Sequence, residues 1–169
     1  MEGYNEGVQG PAGLRPPWYG RRYPSLDDLV AAAEGLGAKV GWAAIGQEAL
    51  FVAGDAHEPP VILLPTGTSP LRTAWLLAHE LGHLHQHEGP KTAWTHGRDE
   101  ARADRWAACA LIPEAAVRRH RNACEDAFIA ALSRHYEELP MHGCPSRGLA
   151  GRIAGIRLRC IRIKPVEVI

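Results

Sequence analysis

Residues 71–90 read LRTAWLLAHELGHLHQHEGP, with HELGH at positions 79–83. On an α-helix, residues four apart lie one above the other, so His79 and His83 present their rings on one face. Two imidazoles so placed suit a tetrahedral Zn²⁺ with Zn–N distances of about 2.0–2.1 Å. Glu80 is turned by about 100° around the helix. It is therefore placed to reach a water beside the metal and act as general base. The motif sits among Trp75, Leu76, Leu77, Ala78, Leu81 and Leu84. Burying two imidazoles and a carboxylate in such company is costly unless something satisfies them, and a metal ion would. Gly82 costs about 1 kcal/mol relative to Ala inside a helix. Its presence predicts that another backbone packs closely there.

A third ligand has three candidate sources. The metzincin pattern needs Gly and His at the third and sixth positions after His83, but Gln86 and Gly89 stand there. A third histidine would be His85, His87 or His96. His85 faces away from the pair, and His87 continues the same stripe beyond His83. The stronger source is DEARADRWAACALIP, residues 99–113, where Glu100 and Asp104 are four apart on one helical face. An acidic helix start favoured by the helix dipole accounts for Asp99 and Glu100. It does not account for Asp104 among Ala101, Ala103, Trp106 and Ala107. Glu100 completing a His₂Glu set, with Asp104 accepting the N–H of a ligand imidazole, explains both.

Outward from these two segments, the chain reads as helix, small sheet, then helices, an α+β order. In YPSLDDLVAAAEGLGAKV, Ser25 can cap a helix whose first turn carries Asp27 and Asp28, and Gly35 or Gly37 ends it. AKVGWAAI and EALFVAG are extended segments, and Gly46-Gln47 between them predicts a hairpin turn. PPVILLP, bounded by prolines, predicts a strand near the edge of the sheet. Thr68 or Ser69 caps the HELGH helix, with Pro70 in its first turn. GPKTAWTHG reads as a loop, followed by helices over about Asp99–Leu111, Pro113–Asn122 and EDAFIAALSRHYEEL. The terminal GLAGRIAGIRLRCIRIKPVEVI begins as a helix. Residues 1–22, rich in Gly and Pro, read as a flexible tail before a single domain over residues 23–169.

Lys plus Arg and Asp plus Glu number 19 each, so net charge does not direct the chain to nucleic acid or anionic membrane. The basic run Arg147, Arg152, Arg157, Arg159, Arg162 and Lys164 allows a contact with nucleic acid or an acidic partner. Arginines on a terminal helix are, however, ordinarily solvated. No apolar run is long enough to span a bilayer, and the N-terminal residues do not read as a signal peptide. A cytoplasmic location is expected. Cys109, Cys124, Cys144 and Cys160 lack a CxxC spacing and read as free thiols, Cys109 behaving as a small hydrophobe.

LAHELGHLHQH followed by EARADRWAACALIP resembles the ImmA/IrrE family of metallopeptidases, whose pattern runs HELGHxxxH and then ExEA(N/D)xFAxxLLxP. His79, Glu80 and His83 fall on the first motif, Glu100 and Asp104 on the second. Arg102 stands where many members carry a second glutamate, and Trp106 replaces a phenylalanine. The resemblance implies a gluzincin-like, minimal zincin domain, its small three-stranded sheet packed on the active-site helix, with further helices C-terminal to it. It also implies a zinc-dependent endopeptidase acting on a helix-turn-helix transcriptional repressor that governs a mobile element or a stress response. The ligand types suit Zn²⁺ and are compatible with Mn²⁺. An oxyanion-stabilising group would come from His96, His120, His135 or Tyr136, and substrate would pair with the edge formed by PPVILLP. Two other functions use the same residues: a non-catalytic zinc-binding module that docks to a partner, and a toxin-like protease restrained by an antitoxin. The intact Glu80 favours turnover, because a closed structural site has no need of a base.

Overall fold

The computed structural model describes residues 16–46, 48–52, 54–55, 57–85, 93–119, 125–136 and 148–162. Helix α1 (Leu26–Gly35) begins at Ser25, whose side chain accepts from the Asp28 backbone N–H, while the Asp28 carboxylate accepts from the Ser25 backbone N–H in return. This reciprocal box satisfies two of the donors that every helix start leaves open. At the other end, the Gly37 N–H bonds to the Glu34 carbonyl and the Ala38 N–H to that of Ala33. Gly37 adopts a φ of 83°, the left-handed conformation that such a helix stop requires.

Three strands follow: β1 (Lys39–Ala43), β2 (Leu50–Val52) and β3 (Val61–Pro65). Their order is β1-β3-β2, with β3 parallel to β1 and antiparallel to β2. Two expectations are corrected. Gly46 does not lead into a hairpin, because β3 lies between β1 and β2. PPVILLP is not an edge strand either. Ile62 and Leu64 are fully buried, and a short apolar run covered on both flanks is what a central strand needs. Its prolines sit before the strand and at its last position, where they interrupt no internal ladder bond.

Helix α2 (Pro70–Leu84) is capped by Ser69, with Pro70 in the first turn. Leu71, Leu77 and Leu81 on its inner face are fully buried, each contributing about 1.5–3 kcal/mol of burial. Helix α2 packs on β3 and most extensively on α3 (Ala93–Leu111). Helix α3 starts six residues before the expected Asp99, so residues 93–97, read as loop, are helical. Helices α4 (Glu114–Arg119), α5 (Glu125–His135) and α6 (Leu149–Arg162) complete the chain. Helix α6 packs on α5 and α3, adding Ile153 and Ala154 to the core.

The segment 16–22, expected to belong to a tail, docks on this core. Trp18 is buried, the Tyr19 ring lies 5.5 Å from that of Trp106, and the Gly20 carbonyl accepts from the Ala115 N–H. The apolar bulk of Trp18 and Tyr19 outweighs the surrounding Gly and Pro. Residues 1–15 and the alternating stretch after Arg162 lie outside the described residues. Among the described residues, no helix is long and apolar enough to cross a membrane.

Candidate metal centre

The α2–α3 crossing is set by Gly82. A Cβ there would lie 2.8 Å from the Ala103 Cα and 2.9 Å from its carbonyl oxygen, so only glycine permits this approach. The close backbone packing expected at Gly82 is present, and its neighbour is α3. The crossing brings Glu100 and Asp104, one turn apart on α3, over His79 and His83, one turn apart on α2.

One nitrogen or oxygen from each of His79, His83 and Glu100 falls within 4.8 Å of the others, a group able to hold a metal ion. The two Nε2 atoms are 3.0 Å apart. The Glu100 carboxylate places Oε2 at 3.1 Å from His79 Nε2 and Oε1 at 3.2 Å from His83 Nε2. In a tetrahedral site with bonds of about 2.0–2.1 Å, donor atoms stand about 3.3–3.4 Å apart. The observed spacings approach that value. Both imidazoles are largely buried, with side-chain exposures of 17% and 14%. Three lone-pair donors facing one another in such a setting repel unless a cation or shared protons lie between them. The residues therefore fit a divalent cation.

Behind the group, Asp104 Oδ1 lies 3.0 Å from His79 Nδ1. A carboxylate there accepts the hydrogen bond of an Nδ1–H, the tautomer that leaves the Nε2 lone pair directed at the cluster. Arg152 of α6 closes this layer. Its Nη2 donates to Asp104 Oδ2 at 3.2 Å, and its guanidinium carbon lies 5.7 Å from the centroid of a Trp75 ring. Sequence reasoning singled out Arg152 only as part of a basic run. Its link to Asp104 spans 48 residues, a pairing that no local pattern carries. Arg157 is likewise turned inward, donating from Nε to the Ile112 carbonyl at 2.9 Å.

Glu80 is part-buried on α2, next to His79 in sequence. His85 stacks on Trp106 with ring centroids 4.9 Å apart, so it packs against α3 outside the group of three. His87, His120 and the His96 side chain lie outside the described residues. Of the oxyanion candidates, Tyr136 donates its hydroxyl to the Pro24 carbonyl at 2.8 Å, and His135 Nε2 lies 3.0 Å from the same oxygen. Burial raises the Tyr136 phenol above its ordinary value. Both side chains thus tie α5 to the start of α1. A concavity of 610 Å³, lined by Trp18, Arg21, Asp28 and Leu36, contains none of the cluster residues. The expected pairing of substrate with PPVILLP is also corrected, since β3 has strands on both sides and only β1 and β2 are outermost.

A peptidase M78 family model, described as the IrrE N-terminal-like domain, matches residues 33–137. That span is well over half of the chain and includes the segments that carry His79, His83, Glu100 and Asp104, but not α6. No curated protein and no solved structure is significantly similar to the chain.

Proposed function

The chain belongs to the IrrE N-terminal-like family of peptidases, and from that premise we propose that it is a zinc-dependent endopeptidase that cleaves a helix-turn-helix transcriptional repressor in the cytoplasm. The observation that carries the proposal is the convergence of His79, His83 and Glu100 with Asp104 behind His79. Three protein donors are the number that catalytic zinc sites take, leaving a position for water or substrate. In this reading His79, His83 and Glu100 hold the ion, and Asp104 fixes the tautomer and orientation of His79. When bound, Zn²⁺ supplies Lewis-acid polarisation of the scissile carbonyl and brings the pKa of water to about 7. The Glu80 carboxylate takes the proton of the attacking water and delivers it to the nitrogen of the departing amine. Substrate lies as an extended segment beside an outer strand of the sheet, where unpaired backbone groups can receive it. The repressor follows from the family resemblance of the two motifs, and its cleavage would release genes of a mobile element or a stress response.

The test uses purified protein loaded with zinc and a helix-turn-helix repressor encoded beside its gene. Glu80→Gln keeps all three donors, so it should retain stoichiometric zinc while cleavage falls by roughly 10²–10⁴-fold, the usual share of a general base. A Glu80→Gln protein that cuts as fast as the parent would sink the mechanism. A wild-type protein that holds zinc, hydrolyses an unfolded polypeptide and leaves the repressor intact would sink the substrate assignment alone.

A further inference from the structure

Helix α3 carries a second feature, on the side away from the metal group. Arg98, Arg102 and Arg105 stand at i, i+4 and i+7, so they share one face. All three are exposed, whereas Ala103 and Ala107, about half a turn around the helix, are fully buried. Arg157 of α6 extends the row. Its Nη1 donates to Cys109 Sγ at 3.4 Å, and Cys109 stands one turn beyond Arg105 on the same face. At about 1.5 Å per residue, the row from Arg98 to Cys109 runs about 16 Å.

No acid interrupts this row. Of the acids on α3, Glu100 belongs to the metal group and Asp104 is bonded to Arg152, while Asp99 is turned from Arg98 by about 100°. Helix α6 carries arginines and no acid. Among the described residues, none of Arg98, Arg102 and Arg105 is held in an ion pair. Like charges three and four apart on a helix repel one another, so local helix energetics do not favour the arrangement. The chain is neutral overall, with 19 cations and 19 anions, so the row is a segregation of charge and not a bulk excess. Arg102 is also the position where the family pattern has a glutamate, and the departure completes the row. The basic run of the terminal segment forms no such surface, because Arg157 is committed to the Ile112 carbonyl and Cys109, and Arg152 to Asp104.

We propose that this face of α3 docks on the phosphate backbone of double-stranded DNA, without reading its bases. Protein partners are held chiefly by apolar and aromatic anchors at the centre of an interface. The row offers none, only arginines with Ala101 and Cys109 beside them. A line of like cations matches a line of like anions, and a DNA strand presents one phosphate for about every 3.4 Å of duplex axis. Guanidinium groups meet phosphate oxygens in bidentate pairs. The purpose of such docking rests on the peptidase reading: a repressor is met at its operator, and a protease held on adjacent duplex is concentrated there. A DNA-binding repressor itself presents positive charge, so the row repels the substrate and attracts the DNA that carries it. The row lies on the far side of α3 from Glu100, so docking leaves the metal group uncovered.

The experiment follows the fluorescence anisotropy of a labelled duplex of arbitrary sequence, titrated with the full chain at several salt concentrations. About three phosphate contacts give a slope of about −2.7 in log K against log salt, so binding should weaken roughly 40-fold between about 50 and about 200 mM. Arg102→Glu should weaken it by about tenfold or more at the lower salt, with circular dichroism and melting temperature close to the parent's. Arg98→Ala and Arg105→Ala should each reduce the slope by about 1. Arg21→Glu makes the same change of net charge at another exposed site, and it should alter binding by no more than about twofold. Absence of salt-dependent binding at about 50 mM would overturn the proposal. Equal losses in Arg102→Glu and Arg21→Glu would overturn it too, by reducing the effect to net charge. Displacement of the DNA by poly-L-glutamate or by an RNA duplex, at a lower concentration of charge than competing DNA needs, would give the row to an acidic protein or to RNA instead. No cleavage is measured, so DNA docking stands or falls separately from the zinc-peptidase reading.

Discussion

Gly82 sets the separation of the two helices that carry the candidate metal donors. Gly82→Ala would place a methyl within 2.8–2.9 Å of Ala103 backbone atoms and 3.2 Å from its Cβ. Backbone cannot rotate out of the way, so α3 must retreat. Overpacking of this kind costs about 1–3 kcal/mol, while alanine returns about 1 kcal/mol of helix propensity. The net effect on stability is therefore small, between roughly nothing and 2 kcal/mol. The effect on the cluster is not small, because Glu100 lies one helical turn before Ala103 and moves with it. Gly82→Ala should weaken zinc binding by tenfold or more while leaving the metal-free protein folded. Competition against a chromophoric chelator, beside circular dichroism of the metal-free chain, measures both. Unaltered zinc affinity would mean that α3 can shift without carrying Glu100 away.

Among the elements, α6 reaches the site through one side chain. Arg152 is 60% exposed in its side chain, so its pair with Asp104 is worth at most about 1 kcal/mol, and its position over Trp75 adds a similar amount. Its larger effect is geometric, since it holds the carboxylate that orients His79. Arg152→Ala should lower zinc affinity several-fold with a stability loss of about 1 kcal/mol. Arg152→Lys should recover only part of the affinity, because an ammonium lacks the planar fork. Equal zinc affinity in all three proteins would reduce Arg152 to a surface residue. Helix α1 carries a separate, acid-sensitive contact. The Arg22 guanidinium donates to both Asp28 oxygens at 2.6 and 2.7 Å, and with Ser25 it holds the carboxyl well below the usual carboxylate range. A carboxyl depressed in the folded state stabilises fully above its unfolded pKa of about 3.9, and that stabilisation is lost as pH falls below it. Thermal melts should therefore show an acid limb below about pH 4 that is shallower in Asp28→Asn than in the parent. The capped starts of α1 and α2, the HELGH face and the Glu100–Asp104 spacing were legible because each rests on contacts within one or two turns, whereas the start of α3 was not. Strand order was not. The turn signal at Gly46 is local, whereas β1 joins β3 only after β2 has been made, and short apolar strands carry no mark of which neighbour they take.

For the whole molecule, the cluster is a tie between parts that are distant in sequence. His79 and His83 belong to the helix packed on the sheet, Glu100 and Asp104 to α3, and Arg152 to α6. The His79–His83 and Glu100–Asp104 pairs were each readable from helical spacing, which already joined them into one candidate site before the family resemblance did, but the third layer required the fold. A cation bound here stabilises the folded chain over the unfolded one by mass action, by about 2.7 kcal/mol at a hundredfold excess over Kd. For 150–250 residues, 1 kcal/mol corresponds to about 2–4 °C in Tm. Zinc at that excess should therefore raise Tm by roughly 5–11 °C, and a chelator should reverse the rise. Because the tie joins α2 to α3 within one core, the shifted transition should remain single. His83→Ala should keep the metal-free Tm close to the parent's and lose most of the zinc response, since its imidazole contributes a donor rather than core volume. Scanning calorimetry of both proteins with zinc and with chelator measures this directly. Two separate transitions, only one of them moved by zinc, would divide residues 23–169 into independent units and place the cluster in just one of them.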